Sequence, residues 1–411
     1  MKYLLGVTGS IACYKSFDVA RQLVKNGHEV KVVLTRGALE FIKPETFRYL
    51  GVSETYLPED DFKPQFLSKN ATVLHIELAK WADKLIIAPL SANTLARLSL
   101  GLNNDLLGSL YLAFGKKPIL MFPAMNTEML NQKRVQEHLN SFSTSTHVAI
   151  INPVAGLLAC GDIGAGKFPE VSAVVDLIEN LDPTKKENKH VIITAGATVA
   201  PLDPVRYLTN PSTGKMGLAV AKAFLGKGYK VTVLAGHECT EDVNNLSGHP
   251  HFQVHKTPTT EAMKKAALSL FPSADLYIST GAIADIEFDA ADSKIKKESM
   301  GSALSFHQAA DILGEIIKIK QPHQKVVSFA AETETTEAVF AEKMKRKPVD
   351  LMVGNKVSNG LVGGSDKVEG FEVNEGQYYF VKSAGTVGPV KLTKKEVGMK
   401  LTDWYEGKAS W

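Results

Sequence analysis

The chain has 411 residues, and its 47 lysines and arginines against 44 aspartates and glutamates leave a net charge of +3. This near balance argues against a nucleic-acid-binding protein, and three scattered cysteines are too few for a disulfide framework or a cysteine-rich metal site. No apolar run approaches the roughly 18 residues that a membrane span needs. The length exceeds one ordinary core, so we expect two domains in a cytoplasmic protein.

Strands and helices alternate through the first half of the chain. Residues 3–7 form a short apolar run typical of a buried strand, and residues 11–25 have the apolar spacing of a helix. Further strand-like runs lie at 29–34, 84–88, 118–122 and 148–151. The alternation predicts a parallel sheet with helices on both faces, and such sheets bind ligands at the carboxyl ends of their strands.

The ends of the first two strands favour a mononucleotide. Gly9, Ser10 and Ile11 open the first helix, where N–H groups and the helix dipole suit a phosphate. The G-x-G-x-x-G fingerprint is absent, and the second strand ends at Thr35 and Arg36 without the acidic residue that holds the ribose of NAD. Thr35 could donate to a terminal phosphate. We therefore expect FMN, while Arg36 leaves NADP open.

Polar residues also follow the later strands of this half. Ser91, Asn93 and Thr94 lie at a helix start, where such residues usually act as caps, but three hydrogen-bonding side chains at one strand end also suit a bound ring. Asn126 follows the strand at 118–122. His75 lies beside apolar residues, and its spacing does not fit H-E-x-x-H or another metal site.

A glycine-rich stretch at residues 155–167 contains Cys160. Glycines lose the most backbone entropy on ordering, so we expect a loop rather than a helix or strand. Such a loop could close over a bound molecule and bring the thiol to it. The alternative is a surface loop with an incidental cysteine.

Four short motifs of this half occur in the order found in a known family. The chain resembles the homo-oligomeric flavin-containing cysteine decarboxylases, which make 4'-phosphopantetheine from 4'-phosphopantothenoylcysteine. The motifs are His75-Ile76-Glu77-Leu78 with Trp81-Ala82-Asp83, Ser91-Ala92-Asn93-Thr94, Pro123-Ala124-Met125-Asn126 and Ala159-Cys160-Gly161-Asp162. The resemblance implies that His75 is the base for the substrate thiol, Asn126 the carboxylate anchor and Cys160 the proton donor. It also implies trimers, and an FMN site formed by Gly9, Ser10, Ile11, Thr35, Ser91, Asn93, Thr94 and Ala124.

The alternation restarts after a charged linker at residues 183–189. A new strand is predicted at 190–194, followed by a long loop at 201–215 and a helix at 216–225. The end of the loop is not a P-loop, because Thr209 replaces its first glycine and Met216 replaces the magnesium-binding Ser or Thr. Later strands are predicted at 230–234, 275–279, 325–329 and 350–353.

Several residues after these strands suit a nucleotide, although each also has an ordinary explanation. The lysines at 294–297 form either a solvated face or point charges for a triphosphate. Phe329 could stack on a base or fill the core. Lys343 and Lys347 are four residues apart and share one helix face.

This half, to about residue 405, resembles the phosphopantothenate–cysteine ligases that bacteria often fuse to the decarboxylase. The resemblance rests on the residues around Asp203, Arg206 and Asn210, on Ser212 to Gly217, and on the segments around Asp285 and Phe329. It implies CTP with Mg²⁺, an acyl-cytidylate on which Asn210 acts, Arg206 at the substrate and pairing of ligase domains as dimers. The implied CTP residues are Gly281, Ala282, Asp285, Lys294, Ala309, Ala310, Asp311, Ile312, Phe329, Lys343 and Lys347.

Two segments depart from these family patterns. Ala309 and Ala310 stand where the ligases often have Asn-Pro before Asp-Ile, and Lys167 replaces an arginine at the end of the glycine stretch. A lysine keeps the charge but loses the bidentate geometry of arginine. The resemblance assigns no metal ligands.

The sequence thus predicts an α/β protein with two domains. These are a flavodoxin-like or Rossmann-like flavoprotein domain at 1–182 and a Rossmann-like nucleotide-binding ligase domain at 190–411. The expected function is a bifunctional enzyme of coenzyme A biosynthesis acting on 4'-phosphopantothenate, cysteine and CTP, with neither nucleic acid nor membrane as partner. Alternatives are an NADP-dependent reductase and a non-catalytic flavoprotein regulator.

Overall fold

The computed structural model describes residues 1–66, 73–157, 161, 163–237, 239, 243, 246, 249–296, 305–358, 373–383 and 385–409. The chain divides into two compact units, Met1–Lys185 with Asn244–His251 and Lys186–Val243 with Phe252–Trp411. Each unit contains its own sheet and core. In the part of the chain that is described, no helix has the length and apolar character required to cross a bilayer.

The first unit is a parallel sheet with the strand order β3-β2-β1-β4-β5-β6. Successive strands are added in one direction from β1 to β3 and in the opposite direction from β4 to β6, so the switch point lies between β1 and β4, where doubly wound sheets bind ligands. The strands are β1 Lys2–Val7, β2 Glu29–Leu34, β3 Glu54–Tyr56, β4 Lys84–Leu90, β5 Ile119–Pro123, β6 Val148–Ile150, β7 Val154–Leu157 and β8 Ile163–Lys167. The helices are α1 Lys15–Lys25, α2 Arg36–Leu39, α3 Glu45–Tyr49, α4 Leu74–Trp81, α5 Ala92–Ser99, α6 Leu106–Ala113, α7 Thr127–Asn131, α8 Lys133–Ser141 and α9 Val171–Asn180.

Local sequence accounts for the start of this unit. Every residue of β4 is buried, as expected for a central parallel strand. Helix α1 buries Val19, Ala20 and Leu23 on one face. Gly27 follows its C-cap residue, and the φ of 82° at Gly27 is the left-handed conformation that commonly terminates a helix. The region predicted as helix at 11–25 begins with a short 3-10 helix at Ile11–Tyr14 before α1.

Lys84 is buried at the amino end of β4, on the side of the sheet away from the switch point. Its Nζ donates to the carbonyls of Ile178 at 2.5 Å and Leu181 at 2.6 Å, so it satisfies the last carbonyls of α9. Burial lowers the pKa of Lys84 to about 8, although Asp182 acts in the opposite sense. A lysine inside the core is therefore explained by the helix end that it caps.

The expectation that the glycine-rich stretch forms neither helix nor strand is wrong for its two flanks. Strands β7 and β8 pair in an antiparallel hairpin. Gly156 and Gly166 adopt φ values of 155° and 125°, which few other residues tolerate. A Cβ on Gly166 would lie 2.1 Å from the carbonyl oxygen of Met125. Glycine allows the hairpin to pack against the backbone after β5, and this close approach offsets its low strand propensity.

The second unit contains a mixed sheet with the order β13-β12-β9-β14-β17-β18-β19-β20. The first six strands in this order, β13, β12, β9, β14, β17 and β18, pair in parallel. Strands β19 and β20 add an antiparallel hairpin at one edge. The strands are β9 His190–Ala195, β10 Val199–Pro201, β11 Tyr207–Thr209, β12 Lys230–Ala235, β13 Phe252–Lys256, β14 Leu276–Ser279, β15 Ile286–Glu287, β16 His307–Gln308, β17 Lys325–Glu332, β18 Leu351–Lys356, β19 Glu375–Lys382 and β20 Gly385–Thr393. The helices are α10 Lys215–Gly226, α11 Thr260–Leu270, α12 Ile312–Ile319, α13 Glu337–Arg346 and α14 Lys394–Tyr405.

The predicted α/β class is confirmed in both units, and the second sheet is parallel except for the antiparallel hairpin of β19 and β20. In this unit the order of strand addition reverses between the parallel strands β9 and β14, so the segments after these strands face the switch point. Helix α10 begins at Gly214, whose φ is 75°. A Cβ there would lie 2.7 Å from the Sγ of Cys239, so both conformation and space require glycine.

Candidate functional site

The segment after β1 is tied to the segment after β5. Ser10 donates from Oγ to the carbonyl of Ala124 at 2.9 Å. Gly9 approaches the backbone of Gly37, and a Cβ on Gly9 would lie 2.8 Å from the Gly37 Cα. Ile11 remains half exposed at the start of the 3-10 helix. Three of the predicted flavin residues thus lie in one closely packed turn.

The segment after β4 is held by Thr8 of the neighbouring strand end. Thr8 Oγ1 donates to the Pro89 carbonyl at 2.8 Å and accepts from the Ser91 N–H at 2.7 Å. Ser91 caps α5 by accepting from the Thr94 N–H at 3.3 Å. Ser91 and Thr94 are buried, whereas Asn93 is exposed. At this strand end Ser91 acts as the helix cap, while the amide of Asn93 is exposed.

Thr35 lies after β2 and is buried. Its N–H and its hydroxyl both donate to the carbonyl of Val7, at 3.1 and 3.4 Å. Thr35 therefore joins the ends of β1 and β2. Its predicted contact with a terminal phosphate stays a prediction.

Asn126 follows β5 and begins α7. Its Oδ1 accepts from the Glu128 N–H at 2.8 Å. The preceding N–H, of Met125, donates to Gly166 of the glycine hairpin at 3.1 Å. The hairpin therefore packs beside the predicted carboxylate anchor. Cys160 lies outside the described residues.

His75 lies in the first turn of α4 and contacts an aspartate that sequence reasoning missed. Its Nδ1 lies 2.8 Å from both carboxylate oxygens of Asp61, and its N–H donates to Asp61 Oδ1 at 3.0 Å. Asp61 is buried, and the His75 side chain is 19% exposed. The available signal was the pair of acidic residues Asp60 and Asp61, the second of which lies 14 positions before a candidate base.

The second unit forms a cavity of about 970 Å³ at the carboxyl ends of its central strands. This volume is in the range of small-molecule binding sites. The predicted residues that line it are Asn210, Gly281, Ala282, Asp285, Ala309, Ala310, Asp311, Ile312, Phe329, Lys343 and Lys347. These residues come from segments up to about 140 positions apart and meet only because the strands that precede them are neighbours.

Two lysines predicted to bind CTP are ion-paired in this cavity. Lys343 contacts the carboxylate of Glu332, and Lys347 lies 2.7 Å from Asp311. Burial lowers the pKa of Lys343, with Arg346 and Lys347 acting in the same direction. Burial raises the pKa of Asp311, but the hydrogen bond from Lys347 and the Gly314 N–H outweigh it and leave that pKa lowered. A nucleotide phosphate would therefore exchange with these carboxylates.

Asn210 lines the cavity beside the strand end after β14. Its amide nitrogen donates to the carbonyls of Ala282 and Ile283, each at 3.4 Å. These contacts are long, so the amide is held in place only weakly. The side chain is positioned to contact a molecule that enters the cavity.

Arg206 and Lys294 are not among the residues that line the cavity. Arg206 pairs with Asp203 and donates to the Ile295 carbonyl at 2.8 Å. The Asp203 carboxylate also accepts from the Val205, Arg206 and Ile295 N–H groups. The pairing with Arg206 holds the pKa of Asp203 well below its usual range. Arg206 thus braces the 203–206 turn against the segment that carries Lys294.

Sequence reasoning assigned no role to four further cations of the cavity, namely Lys215, Lys318, Arg346 and Lys394. Lys394 is buried, its Nζ donates to the Val373 carbonyl, and burial with the nearby Lys215 lowers its pKa to about 8. Lys394 begins the last helix, far along the chain from the motifs. Only the packing of α14 against α10 brings it near them.

Comparisons with known proteins match both halves of the chain. The family model described as Flavoprotein matches residues 1–181, and that described as DNA/pantothenate metabolism flavoprotein C-terminal domain matches residues 186–407. The coenzyme A biosynthesis bifunctional protein CoaBC of Haemophilus influenzae is 35% identical over 367 residues, or 89% of this chain and 88% of that protein. CoaBC of Bacillus subtilis is 36% identical over 369 residues, 88% of each chain. A solved PPC decarboxylase mutant complexed with pantothenoylaminoethenethiol is 34% identical and covers 43% of this chain and 96% of its own, with a TM-score of 0.40.

Proposed function

The chain belongs to the family of coenzyme A biosynthesis bifunctional proteins, and we propose that its halves catalyse two consecutive reactions on one substrate. The ligase half joins 4'-phosphopantothenate to cysteine with CTP. The flavoprotein half then decarboxylates 4'-phosphopantothenoylcysteine to 4'-phosphopantetheine. We assign the decarboxylase to residues 1–182, the linker to 183–189 and the ligase to 190–411.

The observation that carries the ligase assignment is the convergence of Asn210, Phe329, Lys343 and Lys347 on one cavity. An aromatic ring next to two lysines suits a base and a phosphate chain. Phe329 is partly buried in β17, which precedes the helix that contains Lys343 and is followed by Lys347 at its C-cap. We therefore propose that Phe329 stacks on the base and that the two lysines contact the phosphates.

The ligase chemistry needs positive charge near the reacting phosphate. The carboxylate of 4'-phosphopantothenate attacks the α-phosphorus of CTP, pyrophosphate leaves, and an acyl-cytidylate forms. The amine of cysteine then attacks the acyl carbon, and CMP leaves. Lys343 and Lys347 offset the charge that develops on the phosphates, and the Asn210 amide contacts the acyl-cytidylate.

We propose that Mg²⁺ enters with CTP as part of the substrate. Asp285 and Asp311 line the cavity, but no group of three potential metal ligands occurs within the described ranges. The triphosphate and water would supply ligands to the ion, as is usual for Mg²⁺ bound with a nucleotide.

FMN fits the residues at the strand ends of the first half. Gly9 packs directly on the Gly37 backbone, so the turn after β1 presents peptide groups without intervening side chains. Hydroxyl and amide groups with no carboxylate among them suit an anionic phosphate and a polar ring. The proposed flavin residues are Gly9, Ser10, Ile11, Thr35, Ser91, Asn93, Thr94 and Ala124. Bound FMN would supply the two-electron redox chemistry that makes loss of CO₂ accessible.

The protein residues of the decarboxylase half hold the substrate and move its protons. We assign His75 as the base that accepts the proton of the substrate thiol, because imidazole titrates near neutral pH. Asn126 contacts the substrate carboxylate. Cys160 donates a proton in the final step, since an ordinary thiol is mostly protonated at pH 7.

We further propose that the chain acts in the cytoplasm as a homo-oligomer. In this arrangement the flavoprotein domains form trimers and the ligase domains pair as dimers, as the family resemblance implies. Light scattering on the purified protein would test the assembly, and a monomer would contradict it.

The proposed function is tested by a coupled assay with 4'-phosphopantothenate, cysteine, Mg²⁺ and either CTP or ATP. We expect a yellow protein that releases CMP first and CO₂ second, with CTP preferred. CMP without CO₂ would contradict the decarboxylase assignment. A colourless protein that releases neither product after incubation with FMN would contradict both assignments, and turnover of NADPH would favour a reductase.

A further inference from the structure

Two adjacent aspartates, Asp60 and Asp61, are buried in a short 3-10 turn before helix α4. Asp60 accepts from the Leu57 N–H at 2.7 Å and pairs with Lys63 at 2.7 Å, so its contacts lie within its own turn. Asp61 instead contacts His75, 14 residues later. A buried carboxylate is costly unless it is hydrogen-bonded, and here the compensating donors belong to His75.

Asp61 contacts both the backbone and the ring of His75. The His75 N–H donates to Oδ1 at 3.0 Å, and Nδ1 lies 2.8 Å from each carboxylate oxygen. The N-cap residue of helix α4, Val73, has no side-chain cap. The Asp61 carboxylate instead accepts the His75 N–H in the first turn. The same group therefore sets where the helix begins and which way the ring points.

This geometry also determines the tautomer of a neutral His75. An ionised carboxylate only accepts hydrogen bonds, so Nδ1 must carry the hydrogen in the contact with Asp61. The lone pair of the neutral ring is then on Nε2. When the ring accepts a proton at Nε2, the cation that forms faces the Asp61 carboxylate.

We propose that Asp61 is the positioning residue of the decarboxylase half, which holds His75 as the Nδ1–H tautomer with Nε2 directed to the substrate thiol. The proposal rests on the role of His75 given under the proposed function. In the step concerned, the thiol proton moves to Nε2 and the sulfur keeps the bonding electron pair. Asp61 touches neither the substrate nor the flavin and acts through His75.

The test uses the full chain with FMN and three variants. Asp61→Asn keeps the shape but places an amide, which also donates, beside Nδ1, and this favours the opposite tautomer. Asp61→Glu restores a carboxylate, and Asp60→Asn is the matched control in the same turn. We expect Asp61→Asn to lower kcat for CO₂ release about 100-fold with little change in KM. We expect Asp61→Glu to recover part of that loss, and Asp60→Asn to stay within about twofold of the unmodified enzyme.

The second readout is ¹⁵N NMR of histidine-labelled protein, with the His75 signal assigned by its loss in His75→Gln. We expect an Nδ1–H pattern in the unmodified chain and a shift towards Nε2–H in Asp61→Asn. An unchanged kcat in Asp61→Asn, an Nε2–H pattern in the unmodified chain, or equal losses in Asp60→Asn and Asp61→Asn would overturn the proposal. Because the tautomer is measured without substrate, an unmodified chain that shows Nδ1–H but releases no CO₂ contradicts only the proposed function.

Discussion

The two units use the same kind of sheet but present different chemical groups at the carboxyl ends of their strands. In the first unit these are glycine, hydroxyl and amide groups, many of them bonded to neighbouring strand ends, as Ser10 is to Ala124. In the second unit they are charged side chains around one cavity, including Lys343, Lys347 and Asp311. A flavin with one phosphate is served by peptide N–H groups and short polar side chains. A triphosphate needs counter-charges.

The difference extends to the side chains that do the chemistry. In the first unit the candidate base His75 is fixed by a single buried carboxylate. In the second unit Lys343 and Lys347, the lysines proposed to bind CTP, each have an acidic partner that a bound phosphate would replace. A proton-transfer site must hold one side chain in one orientation. A site for an exchangeable polyanion must instead keep its cations paired with counter-charges while no ligand is bound. The predictions below test this contrast, starting with the largest expected effect.

We expect His75→Asn to abolish CO₂ release, by at least about 10³-fold, because no other candidate base is assigned in that half. CMP formation should stay within about twofold of the unmodified enzyme, since His75 belongs to the other unit. Both products are followed in the coupled assay. Loss of both activities would show that the two sites are not separable.

Because Lys84 is buried, we expect the free energy of unfolding of the first unit to change with pH in the alkaline range. Its pKa is about 8 in the folded protein against 10.5 for the exposed group. Below pH 8 both states carry the proton, and the cost of burying the charge is constant. Between pH 8 and 10.5 the unfolded state binds more protons, so stability rises with pH by up to about 3 kcal/mol from this group.

Differential scanning calorimetry of the unmodified chain and Lys84→Met between pH 7.5 and 10 measures this contribution. The variant should be less stable overall, because the carbonyls of Ile178 and Leu181 lose their donor. The gap between the two proteins should widen as the pH rises. Parallel profiles would show that Lys84 keeps its ordinary pKa in the folded state.

Lys343→Gln and Lys347→Gln should each lower kcat/KM for CTP about 10- to 100-fold, the cost of one charge-assisted hydrogen bond. Lys345→Gln is the matched control, because Lys345 lies on the same helix but is exposed and does not line the cavity. CO₂ release from preformed 4'-phosphopantothenoylcysteine should not change. If Lys345→Gln has the same effect, general surface charge rather than the cavity explains CTP binding.

Gly9→Ala should weaken FMN binding about tenfold, because the new Cβ would lie 2.8 Å from the Gly37 Cα and must displace one of the two backbones. Gly37→Ala crowds the same contact less, with its Cβ 3.1 Å from the Gly9 Cα, and should have a smaller effect. Flavin fluorescence titration measures both. A loss of stability without a loss of FMN affinity would place Gly9 outside the flavin site.

Local sequence was sufficient to predict the class of fold and most strands. Strand β2 matches its predicted span, and β1, β9 and β12 each differ from theirs by one residue at one end. These strands are rich in valine, isoleucine and leucine and are mostly buried, and a largely buried strand of this composition has few alternatives. The prediction that the glycine stretch forms only a loop was wrong at its flanks, because its hairpin depends on the close approach to Met125 rather than on local propensity.

The sequence by itself determined the two α/β units, the motifs at their strand ends and the family to which the chain belongs. Only the tertiary structure decided which of those residues meet. It gathered Asn210, Phe329 and Lys343 around one cavity and placed Arg206 against Asp203. It also joined Asp61 to His75. Periodicity and spacing describe a segment and its faces, whereas contacts between distant segments depend on strand order and on where each loop packs.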